Sequence, residues 1–175
     1  QPTRAQRIEG GLIGMLIGDA LGVPYEFHPA FAIPPADLIA YRPPEGFRRA
    51  HRGTPPGTWS DDGAQALCLL ASLLHCDGLN PQDLGSRLVS WHHHGYMAVD
   101  SRVFDIGIQT TAALRRLSEG NDPLTCGPDG EWDNGNGSLM RVLPLALWHQ
   151  GDDDDLIAMA EDQSRLTHGH PRSLI

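Results

Sequence analysis

The sequence predicts an all-α domain, because apolar residues recur at helical spacing and no segment alternates with the period of a strand. The clearest apolar face lies between residue 61 and about residue 75, and its members are Ala64, Leu67, Cys68, Ala71 and Leu74. With 175 residues, the chain is long enough to form one sizeable core. No linker divides it, so a single domain over residues 1–175 is predicted.

The first helix is predicted over residues 4–22. Four glycines lie four residues apart in it, and each costs about 1 kcal/mol of helix propensity relative to alanine. They are Gly10, Gly14, Gly18 and Gly22. Such a stripe predicts that another helix packs closely against it, which leaves the polar Asp19 in the same helix unexplained.

A proline-rich segment up to Gly57 follows the first helix and shows no periodic pattern. Irregular segments of this length are often functional lids. Further helices are predicted from residue 61 to about 75 and from Pro81, with Asn80 as its cap and Leu84, Leu88 and Trp91 on its inner face. Three more are predicted at about residues 103–119, which Gly120 ends, at 138–149 with a kink at Pro144, and at 153–166.

The charge balance disfavours nucleic acid as a partner, because the net charge is -9 and phosphate backbones are bound by clustered cations. All 13 basic residues are arginine. The absence of lysine excludes a Walker lysine, a Schiff-base lysine and a Ser-Lys nucleophile pair within these residues.

Three cysteines without a C-x-x-C pair indicate neither a disulfide framework nor a zinc site, and they favour a reducing cytoplasm. The apolar run near the start is interrupted by charge at Glu9 and Asp19 and is too short to span a bilayer. The sequence therefore predicts a cytoplasmic protein without a membrane partner, and it leaves the oligomeric state open.

The stretch Ser60, Asp61 and Asp62 opens the helix predicted from residue 61. One interpretation is capping, since a serine oxygen accepts from the free amides of a first turn and carboxylates are favoured there by the helix dipole. The other is a metal site, because two carboxylates and a hydroxyl are ligands that Mg²⁺ or Mn²⁺ accepts. The stretch alone favours capping.

The second candidate is the glycine-rich segment from Asp133 to Arg141, which runs into a helix. Its free backbone amides could bind a phosphate or a ribose edge, although an ordinary glycine loop has the same composition. His168 after the last predicted helix, taken alone, is more typical of a surface residue or of a hydrogen-bonded polar residue than of a catalyst. The triplet His92 to His94 is interpreted as a solvated helix end, because consecutive helical residues face different directions.

Four motifs occur in the order "GLIGMLIGDALGVPYEF", "GTWSDDGAQALCLLASL", "NGNGSLMRVLPLAL" and "LTHGHP". Together they resemble the ADP-ribosylglycohydrolases of the dinitrogenase-reductase-activating type, over nearly the whole chain. The resemblance implies a compact orthogonal bundle of helices. It also implies a pair of Mg²⁺ ions, with Mn²⁺ as a substitute, that bind the ribose of an ADP-ribosyl group.

The family pattern assigns site residues by position. Ser60, Asp61 and Asp62 would be metal ligands, with the two aspartates also in the catalytic set. Glu26 would be a ligand or gate and is the candidate acid or base. The substrate-binding residues implied are Asn134, Gly135, Asn136, Gly137 and His168.

The function that the resemblance implies is metal-dependent hydrolysis of the glycosidic bond between ADP-ribose and an acceptor, either a protein side chain or a small molecule. The transition state of such a reaction has oxocarbenium character, which nearby carboxylates stabilise. Three linkages stay open: the N-glycosidic bond to arginine, the O-glycosidic bond to serine, and the ester of O-acetyl-ADP-ribose.

One departure from the family pattern is the lack of a later D-x-D-T/S segment, which Asp152 to Asp155 does not replace. We therefore expect a fragment that lacks the C-terminal metal-binding segment. The alternatives are a non-catalytic ADP-ribose-binding or immunity-type module with an incomplete metal site, and a purely structural helical protein.

Overall fold

The computed structural model describes residues 1–174. Seven α-helices and no strands occur in these residues, which confirms the all-α prediction. The chain divides into two compact units, an N-terminal unit, Gln1–Ser60, and a C-terminal unit that begins at Asp61. Within residues 1–174, no helix combines the length and the apolarity that crossing a membrane requires.

The N-terminal unit begins with helix α1, Arg4–Gly22, whose predicted bounds are confirmed. A capping box starts it: the Thr3 hydroxyl accepts from the Gln6 amide at 3.2 Å, and the Gln6 side chain accepts from the Thr3 amide at 2.9 Å. Apart from the adjacent backbone of α1 itself, no atom of this unit lies within 4 Å of where a Cβ would stand at the four glycines. The prediction that a helix packs closely on them is therefore wrong for this unit.

The rest of the N-terminal unit is irregular but tied together by hydrogen bonds. It contains short 3-10 turns at Val23–Tyr25, Ala30–Ala32 and Ala36–Leu38. The hydroxyl of Tyr25 donates to the Ala40 carbonyl at 2.9 Å and accepts from the Ala40 amide at 3.0 Å. Because these bonds satisfy backbone groups that no helix pairs, the segment holds a defined course.

The C-terminal unit contains the other six helices. They are α2 (Asp61–Cys76), α3 (Pro81–His94), α4 (Ile108–Ser118), α5 (Leu143–Trp148), α6 (Asp153–Arg165) and α7 (Pro171–Leu174). Helix α2 packs against α3 and α5, and α3 packs against α4. Leu84, Leu88 and Trp91 are buried on the inner face of α3, as predicted.

The capping predictions for α3 and α4 are confirmed. The Asn80 side chain accepts from the amides of Gln82 and Asp83, so it caps α3. Gly120 follows the last turn of α4 with φ of 84°, a left-handed conformation that glycine adopts without strain. Local chemistry therefore sets these two helix ends.

Three details of the predicted helices are wrong. Helix α4 starts at Ile108 instead of residue 103, because Asp105 has a positive φ that interrupts a helix before Ile108. Helix α5 is limited to Leu143–Trp148, and Pro144 lies in its first turn, where it needs no N–H partner, so it is not a kink. Leu74, predicted on the buried face of α2, is 67% exposed.

Candidate functional site

A cavity of about 490 Å³ lies in the C-terminal unit, and we call it the acidic cavity. Its walls come from the start of α2, the first turn of α4 with the residues before it, the glycine-rich segment, and His168. The lining residues are Asp61, Asp62, Asp105, Gly107, Ile108, Gln109, Thr110, Trp132, Asp133, Gly135, Asn136, Gly137, Met140 and His168. Six of the sequence-predicted site residues, from three separate motifs, thus line one space.

Carboxylates dominate the charge of the acidic cavity. Asp61 and Asp62 form the first turn of α2, and Asp61 is only 5% exposed. The positive end of a helix dipole stabilises carboxylates at this position, so capping chemistry and a site are compatible. Two more carboxylates come from Asp133, the first residue of the glycine-rich segment, and from Asp105, which belongs to no motif. Oxygen donors of this type fit a hard divalent cation such as Mg²⁺ or Mn²⁺.

His168 is buried, with 3% of its surface exposed, so of the two sequence-based alternatives the surface residue is wrong. Its Nδ1 forms a hydrogen bond with the Thr167 hydroxyl at 2.8 Å, and its backbone amide donates to the Ser164 carbonyl at 2.8 Å. Burial, together with the positive charge of Arg141, lowers the pKa of His168 from 6.5 to about 4. The imidazole is therefore neutral at pH 7 and can both donate and accept hydrogen bonds.

The burial of His168 predicts a pH-dependent stability. Its pKa is lowered in the folded state, so the unfolded state binds the proton more tightly between pH 6.5 and 4. Stability contributed by the neutral imidazole is complete above about pH 6.5 and is lost as the pH falls to about 4. The loss of unfolding free energy between pH 7 and pH 4 should be smaller for His168→Gln than for the parent by about 3 kcal/mol.

Urea unfolding at the two pH values measures this difference, and the carboxyl groups common to both proteins cancel in the comparison. An NMR titration of the native imidazole gives the pKa directly. If His168 titrates near 6.5 in the folded protein, the prediction is wrong.

The glycine-rich segment approaches neighbouring side chains closely. The Gly135 amide donates to Oε1 of Gln109 at 3.0 Å, and the Ser173 hydroxyl donates to the Gly135 carbonyl at 3.0 Å. A Cβ at Gly137 would lie 2.8 Å from Cε1 of His168, which is shorter than a normal contact. Glycine is needed at position 137 because a larger side chain would occupy the space that the His168 imidazole fills.

Substituting Gly137 by alanine should therefore destabilise the fold. We expect the free energy of unfolding to fall by about 1–3 kcal/mol, the usual cost of overpacking. Removing the imidazole should relieve the clash, so Gly137→Ala should cost clearly less in a His168→Ala background than in the parent. The control is Gly78→Ala, where no atom of the described chain lies within 4 Å of the new Cβ. Equal costs for Gly137→Ala in both backgrounds would contradict the prediction.

Gln109 is a lining residue that no sequence pattern identified. Its Oε1 accepts from Gly135, while its Nε2 is buried and has no hydrogen-bond partner among the described residues. A buried donor without a partner costs free energy, so a ligand oxygen is a natural acceptor for it. A glutamine in the first turn of a helix carries no sequence signal for this role.

Arg141, the last residue of the glycine-rich segment, is fully buried. Its Nε donates to Oε1 of Gln163 at 2.9 Å, its Nη1 to Oε1 of Gln65 at 2.9 Å, and its Nη2 to the Gln163 carbonyl at 2.6 Å. Gln163 in turn donates to the Ser138 carbonyl at 3.3 Å. Burial lowers the pKa of Arg141 to about 10, so the guanidinium stays charged at pH 7. It links α2 and α6 to the end of the glycine-rich segment.

Ser60 closes the N-terminal unit and is held by α1. Its amide donates to Oδ2 of Asp19 at 3.0 Å, and its hydroxyl donates to Oδ1 at 2.8 Å. This interaction explains the polar Asp19 within the glycine stripe. A hydroxyl that donates its hydrogen retains oxygen lone pairs, so the contact is compatible with Ser60 as a cation ligand.

Glu26 lies in the N-terminal unit, whereas Asn134 lies in the C-terminal unit but does not line the acidic cavity. Within the N-terminal unit, the Glu26 carboxylate is hydrogen-bonded to Nε2 of His51. Asn134 lines a second cavity of about 290 Å³ beside α6, and its side-chain amide donates to the Glu131 carbonyl at 3.1 Å. Their roles in catalysis and substrate binding stay predictions.

Comparisons with known proteins agree with this architecture. The family model for ADP-ribosylglycohydrolase matches residues 1–175. The ADP-ribosylarginine hydrolase Tri1 of Serratia proteamaculans is 30% identical over 168 residues, which cover 96% of this chain and 43% of that protein. The glycohydrolase of Rhodospirillum rubrum named for ADP-ribosyl dinitrogen reductase is 32% identical over 177 residues, which cover 98% of this chain and 54% of that protein.

A solved structure described as an ADP-ribosylglycohydrolase-related protein complex is 31% identical, with a TM-score of 0.68 over 98% of this chain and 52% of that chain. The chain spans about half the length of the curated relatives it matches. The family model covers the whole chain, and the relatives match it over nearly all of its length. The chain therefore belongs to the ADP-ribosylglycohydrolase family and has its all-α fold.

Proposed function

We propose that the protein containing this chain hydrolyses the glycosidic bond between ADP-ribose and an acceptor, and that the acceptor is an arginine side chain. The observation that carries the proposal is the acidic cavity, where Asp61 and Asp62, the glycine-rich segment and His168 line one space. The relative from Serratia proteamaculans is named as an ADP-ribosylarginine hydrolase, which supports the choice of acceptor.

The reaction would depend on Mg²⁺, with Mn²⁺ as a substitute, held by Ser60, Asp61 and Asp62. The donor set supports this assignment, because the cavity offers carboxylate oxygens and contains neither cysteine nor a charged histidine. When bound, the cation supplies Lewis-acid polarisation of the ribose hydroxyls.

Other lining residues would bind and orient the substrate. Backbone amides of the glycine-rich segment suit the diphosphate, because glycine lets a ligand approach the main chain closely. The buried Nε2 of Gln109 would donate to a substrate oxygen, and neutral His168 would add a hydrogen bond without a charge. The ionised carboxylates would stabilise the oxocarbenium transition state.

Glu26 is the proposed acid or base. A general base must accept the proton of the attacking water, and a carboxylate can do so once it is within hydrogen-bond reach. In its own unit Glu26 pairs with His51, which holds the side chain in a defined place. We also propose that the protein acts in the cytoplasm, since Cys68, Cys76 and Cys126 are all free thiols.

The test is release of ADP-ribose from an ADP-ribosylarginine conjugate by the protein that contains this chain. We expect release with Mg²⁺, its loss after chelation with EDTA, and its recovery when Mg²⁺ or Mn²⁺ is added back. Calorimetry with ADP-ribose runs in parallel. Tight binding of ADP-ribose without turnover of any conjugate would contradict the enzyme and favour the non-catalytic binding module.

A further inference from the structure

The N-terminal unit concentrates positive charge in a chain that is acidic overall. Residues 42–52 contain Arg42, Arg48, Arg49 and Arg52 with a single acidic residue, Glu45. The net charge of this segment is +3, whereas that of the whole chain is -9. In the described part of the chain, none of these four arginines forms an ion pair. Unlike Arg87 or Arg165, which pair with carboxylates of their own helices, they remain available to a partner.

Two of these arginines line a cavity of about 430 Å³ within the N-terminal unit, which we call the arginine cavity. Arg42 and Arg49 provide its charge, and Phe47, Pro43, Pro55 and Pro56 provide apolar walls. Arg49 is partly anchored, because its Nε donates to the Ala50 carbonyl at 3.2 Å. Arg48 and Arg52 are exposed in the same segment.

We propose that the arginine cavity binds a short acidic segment of the ADP-ribosylated protein and so contributes to the choice of substrate. The inference rests on the proposed function. A guanidinium presents a fork of donors that matches a carboxylate, and the apolar walls can cover the stems of neighbouring side chains. No residue of the arginine cavity belongs to the acidic cavity, so its role is recognition instead of chemistry.

Salt screening of charge–charge interactions limits how long the acidic segment needs to be. At physiological salt the interaction between exposed charges extends about 8 Å, so a few carboxylates experience the local positive charge of residues 42–52. A nucleic acid carries a continuous line of charge that would extend over the rest of an acidic chain. A short acidic peptide segment therefore fits better than a polynucleotide.

The experiment uses three substrates and the protein that contains this chain. Two are synthetic peptides of equal length with one ADP-ribosylarginine each. The first carries a run of Asp and Glu, and the second carries Asn and Gln at the same positions. The third is the ADP-ribosylarginine conjugate without a peptide, which reports the chemistry alone and contains the same diphosphate.

At low ionic strength we expect kcat/KM for the acidic peptide to exceed that for its amide counterpart about 10-fold, since complementary charge raises the rate of encounter. Arg42→Gln combined with Arg49→Gln should reduce this preference to about 2-fold or less and leave the free conjugate unchanged. The matched control is Arg4→Gln with Arg7→Gln. It removes the same charge from α1 of the same unit, and neither residue lines the cavity.

The other outcomes distinguish failure of the proposed function from failure of this inference. If the free conjugate is not hydrolysed by the parent, the proposed function fails. If it is hydrolysed and the cavity variant keeps the full peptide preference, this inference alone is overturned. An equal fall for the free conjugate would assign the arginines to the diphosphate, and competition by a single-stranded oligonucleotide at the peptide's own concentration would assign them to nucleic acid. Both results contradict an acidic protein segment.

Discussion

Replacing Arg141 by methionine is expected to lower the free energy of unfolding by about 3–5 kcal/mol. The guanidinium donates to Oε1 of Gln65 and to both the side chain and the carbonyl of Gln163. Methionine fills much of the volume but leaves these three buried acceptors without their donor. Urea unfolding at pH 7 measures the change. Because Gln163 also donates to the Ser138 carbonyl, the glycine-rich segment should lose order with it.

Two further variants serve as controls for Arg141→Met. Arg165→Met on α6 removes an arginine of the same type whose ion pair with Glu161 is partly exposed, so it should cost no more than about 1 kcal/mol. Arg141→Lys keeps the charge but loses the fork of donors, and it should fall between the other two. A loss for Arg141→Met that is no larger than for Arg165→Met would show that the buried network does not support the fold.

Asp61→Asn and Asp62→Asn are each expected to lower kcat/KM for an ADP-ribosylarginine conjugate about 100-fold or more. Asparagine keeps the shape of the side chain and removes the charge that would attract a divalent cation. Part of any change in stability comes from the lost interaction with the dipole of α2, which is worth about 0.3–1 kcal/mol. The affinity for Mg²⁺, measured by calorimetry, should fall together with activity.

The control for these variants is Asp153→Asn, which removes a carboxylate from the first turn of another helix, α6, where it is exposed. It should lose the interaction with the helix dipole alone and leave kcat/KM and the affinity for Mg²⁺ unchanged. If Asp61→Asn and Asp62→Asn behave like this control, the two aspartates are helix caps and the proposed metal site is wrong.

Helix positions were predictable where local chemistry determines them. The starts of α1 and α3 follow from caps next to them in sequence, Thr3 with Gln6 and Asn80 with Pro81. Helix α4 starts late because Asp105 adopts a positive φ, a conformation that remains uncommon for any single non-glycine residue. The exposure of Leu74 was not predictable either. Periodicity shows which face of a helix is apolar, but not where along that face the packing against other elements ends.

For the candidate site, the motifs identified Asp61, Asp62, Gly135 to Gly137 and His168, and these residues line one cavity. Gln109 was not predicted, because its importance comes from a hydrogen bond to Gly135, 26 residues away. Arg141 was quoted only as part of a motif. Its role depends on Gln65, which lies 76 residues earlier in the chain.

The sequence by itself determined the helical class, the carboxylates at the start of α2 and the motif order that marks the family, because these depend on residues close together in the chain. The tertiary structure decided which groups are buried. It made His168 neutral and required glycine at position 137. It also buried the charged guanidinium of Arg141 at the end of the glycine-rich segment. Desolvation and close contact depend on atoms from distant parts of the chain, so spacing alone cannot specify them.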